Sequence, residues 1–162
     1  MEKLKEQRIA FNKVYSERQG LYLAIIQKAG LPEIPYRILY AICEEEPGKL
    51  SQMDICHIWN FPKQSVNTAI NRLIKLGYVT LSQDRTAARN RKIIELTDTG
   101  KIYCKTWVYP LVQADLKAFG TLSAQERDMY IDFVARQRDS LRKSLANLFE
   151  IENNKQEVAN EK

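Results

Sequence analysis

No run of eighteen apolar residues occurs in this chain of 162 residues, so no segment of it reads as a bilayer-spanning helix. The N-terminus, "MEKLKEQRIAFNKVYSE", alternates charged with apolar residues and lacks the continuous apolar stretch of a secretion signal. That points to a cytoplasmic protein. Cysteine is scarce: Cys43, Cys56 and Cys104 are scattered, with no C-x-x-C. An odd count in such a chain argues against a disulfide scaffold and for simple buried thiols; a redox role would require a low pKa and exposure. Histidine is scarcer still. His57 stands alone without clustered carboxylates, so no dedicated metal site is expected. No glycine-rich phosphate cradle and no nucleophile–base–orienter signature is present either. The sequence therefore predicts no catalytic residues, no cofactor and no enzyme.

What is present is an ordinary globular balance, 44% hydrophobic and 28% charged, with a net charge of +5. The distribution of that charge says more than its sum. From Pro62 to Lys92 there are seven basic residues (Lys63, Arg72, Lys75, Arg85, Arg89, Arg91 and Lys92) against one acid, Asp84. Basic charge gathered on one compact unit is the electrostatic footprint for a polyanion, with a merely solvated basic face as the alternative.

Hydrophobic spacing predicts a helix over 4–28, with Leu4, Phe11, Val14, the stem of Arg18, Leu21, Ile25 and Ile26 along it and Gly30 at its exit. Gly20 inside that pattern marks either a weak point or close packing. "LPEIPYRILYAICEEE" reads as a second helix, with Pro35 in its first turn and Ile38, Leu39 and Ile42 inward. After Leu50, the Ser51–Asp54 spacing is a capping-box signal for a short helix carrying Met53, Ile55 and Ile58. A further helix runs from "NFPK" to about Leu76, where Gly77 is placed to end it in a left-handed conformation. "YVTLS" and "KIIEL" have strand composition, and the polar connection from Ser82 to Arg91 makes them a hairpin with a long basic tip. "TDTGKIYCKTWVYPLVQADLKAF" reads as a long helix bent near Pro110. Another helix opens at the Ser123–Glu126 capping pair, with Met129, Phe133, Leu141, Leu145 and Leu148 on one face, before a polar end expected to fray.

Two helices joined by a short turn, the second offering its outward face, form a helix-turn-helix. In "KQSVNTAINRLIKLGYV", Val66, Ile70, Leu73 and Ile74 lie at core spacing with Ala69 beside them. The other side offers Lys63, Gln64, Ser65, Asn67, Thr68, Asn71, Arg72 and Lys75. Amides, hydroxyls and a guanidinium are the groups that reach base edges and phosphates in a major groove. A solvated helix face usually carries glutamates, and this one has no acid between Lys63 and Lys75. The competing readings are caps and surface filler for Ser65, Thr68 and the asparagines, and an intrachain bond for Arg72. The hairpin tip adds Arg85, Arg89 and Arg91, suited to a minor groove or the flanking backbone. Trp59 and Phe61, at the turn, read as packing residues.

"LSQMDICHIWNFPKQSVNTAINRLIKLGYV", followed by a basic loop and "KIIELTDTG", resembles the winged helix-turn-helix of MarR-type bacterial transcriptional regulators. The resemblance covers about residues 32–105; its most specific elements are L-x-K-x-G-Y-V, Leu73 to Val79, and L-T-x-x-G, Leu96 to Gly100. It implies a mainly α fold with a small β-hairpin wing (α+β), the winged helix-turn-helix lying between long N- and C-terminal dimerisation helices. The segments would be 1–31 for the N-terminal dimerisation helix, 32–100 for the DNA-binding domain, 101–150 for the C-terminal dimerisation helices and 151–162 for a polar tail. It further implies a homodimer on double-stranded DNA, with the helix Lys63–Leu76 in the major groove and a wing matching Ser82 to Arg91 in the minor groove. Many members bind a small aromatic effector in a cleft between the dimerisation helices and the DNA-binding lobe. Here that cleft would draw on Tyr15, Arg18, Tyr22, Tyr36, Tyr40 and Trp107, although core packing accounts for the same residues. One departure stands out. The family's wing Asp-x-Arg falls on Ala88 and Asn90, whereas the arginines stand at 89 and 91 and the acid at 84. Either the wing is registered differently or its usual brace is missing.

The leading expectation is thus a dimeric, sequence-specific DNA-binding regulator without membrane association, with repression as the direction the resemblance implies. The alternative is a winged-helix module that pairs with protein and binds DNA weakly or not at all.

Overall fold

The computed structural model describes residues 1–45, 50–84 and 91–160, with Asp84, Arg91 and residues from 147 onward described as backbone alone. The chain divides into two compact units, Met1–Asp115 and Leu116–Lys162.

The first unit opens with helix α1, Glu2–Ala29, which ends where Gly30 takes a left-handed φ of 74°. The stripe read from Leu4 to Ile26 does not stay buried along its length. Ile26 is 4% exposed, whereas Leu21 is 72% exposed and Leu4, Phe11 and Val14 are exposed with it. Only the last turns of α1 reach the core, because the remainder of the helix runs beyond the helices that could cover it. Gly20 is not a close-packing position, since a Cβ there would meet nothing within 4 Å.

Helix α2, Glu33–Glu44, starts after Pro32 and buries Tyr36, Ile38, Leu39, Tyr40 and Ile42. Helix α3, Gln52–Trp59, carries the expected capping box: the Ser51 amide donates to Asp54 Oδ2 at 2.6 Å and the Asp54 amide donates to Ser51 Oγ at 3.4 Å. Only part of its apolar set faces inward. Met53 and Ile58 are exposed, and Ile55 is buried with Cys56 and Trp59 packing beside it. Ile55 and Trp59 stand i,i+4 on one face, while 53 and 58 fall to either side of it.

Helix α4, Lys63–Lys75, buries Val66, Ala69, Ile70 and Leu73. Ile74, also expected inward, is 38% exposed; one residue past Leu73, it turns about 100° off the stripe. Gly77 follows with φ 72°, the left-handed exit its sequence position suggested. Strands β1, Val79–Asp84, and β2, Arg91–Leu96, pair antiparallel from Val79↔Leu96 to Asp84↔Arg91. The ladder is longer than the composition suggested, so the expected connection from Ser82 to Arg91 narrows to 85–90, outside the described residues. Ser51 bridges Ile93, and the Ile94 amide donates to Leu50 O at 2.8 Å, giving the hairpin a short third edge.

The bend expected near Pro110 falls at Val108, which separates α5, Asp98–Trp107, from α6, Tyr109–Phe119. Cys104 and Val108 join the same core as α2 to α4, and the Tyr36 hydroxyl donates to Trp107 O at 2.6 Å. The cysteines are free thiols, Cys104 buried and the other two half-buried. In the second unit, Ser123 and Glu126 exchange capping bonds before helix α7, Ala124–Asn160. The helix continues through the stretch expected to fray. No helix among the described residues is long and apolar enough to cross a membrane.

Candidate nucleic-acid interface and ligand cleft

The first candidate site is the outward face of α4. Its inward stripe is fixed by the core, so the opposite side chains have no freedom to turn in. Lys63, Gln64, Asn67, Thr68, Asn71, Arg72 and Lys75 are all exposed, and Ser65 is half-buried. The Lys63 carbonyl accepts from Gln52 Nε2 at 3.2 Å, which fixes the start of α4 against α3. Open grooves lie on both flanks of the helix. One is lined by Gln52, Lys63, Gln64 and Asn67; the other runs between α4 and the first turn of α2. A helix standing proud between two grooves has the relief a major groove can accommodate.

The wing is rooted by the L-T-x-x-G segment, and the geometry explains those residue types. Thr97 is the N-cap of α5: its Oγ1 accepts from the Gly100 amide at 3.0 Å and donates to the Gly77 carbonyl. The Thr97 amide donates to Tyr78 O at 3.1 Å. A Cβ on Gly100 would lie 1.9 Å from that same Tyr78 oxygen, so no side chain fits there. The Tyr78 and Tyr103 rings stack at 4.6 Å, and the Tyr103 hydroxyl donates to Ala29 O at 2.9 Å. The end of α4, the wing and the end of α1 thereby share one set of contacts. Of the wing arginines, Arg85 and Arg89 lie outside the described residues, as do Ala88 and Asn90, and Arg91 is placed by its backbone opposite Asp84.

The second candidate site is a cleft of about 310 Å³ among α1, α2, α3 and the start of α6. Tyr15, Arg18, Tyr22, Tyr36 and Tyr40 line it together. Trp107 does not line it. That residue is half-buried against the core and meets the cleft's wall through its carbonyl. Sequence reading missed Gln19, Arg37, Glu44, Trp59 and Asp115, which line it together with the apolar Ile26 and Leu111. A signal for most of them existed: Arg37, Tyr40 and Glu44 follow one stripe of α2, and Tyr15, Gln19 and Tyr22 one stripe of α1. Asp115 carried no local signal.

Asp115 is the polar centre of this cleft. It accepts from the Tyr22 hydroxyl, and from the Tyr40 hydroxyl at 3.1 Å, with Arg18 3.7 Å away. Arg37 is bound by Glu33 at 2.8 Å and lies over the Trp59 ring at 4.8 Å. Trp59 also meets Tyr40 edge-on at 6.1 Å and stacks on Phe61 at 6.4 Å, the packing role its position suggested. Burial raises Tyr22, Tyr36 and Tyr40 above the ordinary phenol range, Tyr36 to about 12, so all three keep their protons at neutral pH. Burial, reinforced by the nearby Asp115 charge, likewise raises the Glu44 carboxyl.

The hairpin behind a helix-turn-helix defines a winged helix-turn-helix. More particularly, residues 29–90 match the model of the MarR family. Solved structures share the fold beyond that segment. NMB1585, a MarR family regulator from Neisseria meningitidis, is 18% identical with a TM-score of 0.69, over 87% of this chain and 97% of that one. Staphylococcus aureus MarR in complex with salicylate and kanamycin is 20% identical with a TM-score of 0.59, over 86% and 92%. The S. aureus MepR–DNA complex is 17% identical with a TM-score of 0.59, over 81% and 94%. No curated protein matches the chain.

Proposed function

We propose that this chain is a homodimeric, cytoplasmic regulator that binds specific double-stranded DNA sequences, acts as a repressor and releases DNA in response to a small molecule in the cleft. The observation that carries this reading is the face of α4: eight polar or basic residues, no acid, and an inward stripe locked in the core. Lys63, Lys75 and Arg72 would meet phosphates, and Gln64, Asn67, Thr68 and Asn71 base edges. Two such helices in a two-fold dimer read half-sites about one helical turn apart. Support for the dimer comes from the exposed apolar residues of α1 and, in the second unit, from Met129, Phe133, Val134 and Leu141 on α7. An effector that binds better to a dimer with different helix spacing weakens DNA binding by linkage. The resemblance in fold to a MarR–salicylate complex and to a MepR–DNA complex supports both halves of the reading.

The test is duplex binding across a salt series, with upstream-sequence and random duplexes compared. Specific retention with a steep loss of affinity on adding salt is the expected result. Asn67→Ala should relax sequence preference at a cost of about 1–3 kcal/mol, and Arg72→Ala should weaken binding with the dimer intact. Absence of duplex binding at low salt would overturn the reading in favour of a protein-binding module.

A further inference from the structure

The proposal that the cleft holds an effector leaves its chemical class open, and the lining residues bear on that choice. Two arginines and two carboxylates border the cleft, so its formal charge is balanced, yet the four are not equally committed. Arg37 is held by Glu33 at 2.8 Å and covers the Trp59 ring, and Arg18 faces Asp115 at 3.7 Å. Glu33 lies outside the lining, so Arg37 brings its own counter-charge from beyond the rim. Among the described residues no ion pair joins Glu44 to a basic group. Glu44 borders the cleft with Tyr40 and Asp115, close enough for its charge to act on the Tyr40 hydroxyl, which donates to Asp115 at 3.1 Å. Two carboxylates therefore border the cleft near this hydroxyl, and one of them has no cation partner among the described residues.

The remaining lining points the same way. The protons of Tyr22, Tyr36 and Tyr40 are committed to Asp115, Trp107 O and Asp115 respectively. Tyr22 already accepts from Arg18 at 3.3 Å and carries that guanidinium over its ring, whereas Tyr36 and Tyr40 offer oxygens and ring faces that attract positive charge. Trp59 supplies a further indole face, which already accepts the Arg37 guanidinium. Its Nε1 is buried without a hydrogen-bond partner among the described residues, leaving one donor for a ligand acceptor.

We propose that the cleft takes an organic cation: a protonated amine on an aromatic body that also carries a hydrogen-bond acceptor. Its ammonium sits beside Glu44 and Asp115, its ring lies against Tyr36, Tyr40 and Trp59, and its acceptor takes the Trp59 N–H. An organic anion of the same shape has to approach the two carboxylates, with both arginines already paired. This inference rests on the cleft being the effector site.

Two probes separate the possibilities because they share a phenol ring and differ in charge: tyramine, an ammonium, and 4-hydroxyphenylacetate, a carboxylate. Each is titrated calorimetrically into the full chain at neutral pH and low salt. Tyramine should bind at least about tenfold more tightly. Glu44→Gln, with its fold checked by thermal melting, should reduce that preference about fivefold or more, by weakening tyramine alone. Trp59→Phe should weaken both probes, since it removes the unpaired donor. Equal or tighter binding of the carboxylate overturns the charge assignment while leaving the cleft an effector site. No heat from either probe at concentrations of about 10 mM overturns the effector reading together with this inference. A preference unchanged by Glu44→Gln overturns the role given to Glu44.

Discussion

Helices α1 and α4 both carry an apolar stripe, and they dispose of it in opposite ways. In α4, Val66, Ala69, Ile70 and Leu73 are covered by elements of the same chain, so the polar face opposite is fixed in direction. In α1 only Ile26 and Ala29 are covered, and Phe11, Val14 and Leu21 stay open. The first arrangement makes a rigid platform complete within one protomer. The second leaves an apolar surface open, the surface on which the proposed dimer rests.

The largest expected effect lies on the closed side of this contrast. Leu73→Ala, at a position with no exposure, should cost about 2–5 kcal/mol in chemical denaturation. Gly100→Ala should follow at about 2–3 kcal/mol, because its Cβ cannot coexist with Tyr78 O unless the wing's root shifts. On the open side, Leu21→Ala should leave unfolding of the dilute protomer within about 0.5 kcal/mol of the parent. The same change should weaken self-association by about 1 kcal/mol or more in sedimentation equilibrium. Equal effects of Leu21→Ala on protomer and dimer would erase the distinction between the two helices. On the closed side the smallest effect belongs to Thr97→Val, about 1–2 kcal/mol, from loss of the α5 cap and of the bond to Gly77 O.

The same contrast governs what could be read in advance. Periodicity located the inward stripes of α2 and α4: Ile38 and Leu39, and Val66, Ile70 and Leu73, are all buried as their spacing implied, whereas the core positions of Cys104 and Val108 were not foreseen. It failed at stripe edges, where Ile58 and Ile74 sit one turn angle too far round, since spacing fixes direction and not the width of the neighbour. Most of α1's stripe was legible as apolar, but spacing alone did not say that it would stay exposed in the chain. Of the cleft, five tyrosine and arginine positions were accessible because aromatic residues stand out on two helices. Asp115 was not, since its importance comes from two hydroxyls distant in sequence, Tyr22 and Tyr40. Trp107 was read as lining because its indole suggested a ring contact, whereas its part is played by a carbonyl. The L-T-x-x-G motif was visible as a pattern, and its reason, a backbone oxygen where a side chain would go, emerged only in three dimensions.

That close approach has a consequence for recognition at the wing. Thr97 ends β2 and begins α5, and its hydroxyl bridges the Gly77 carbonyl to the Gly100 amide. The two strands thus leave the domain already oriented, like a bracket bolted at both feet. Contacts made by the hairpin with a polyanion need not supply the entropy of arranging its base, and more of their free energy remains as affinity.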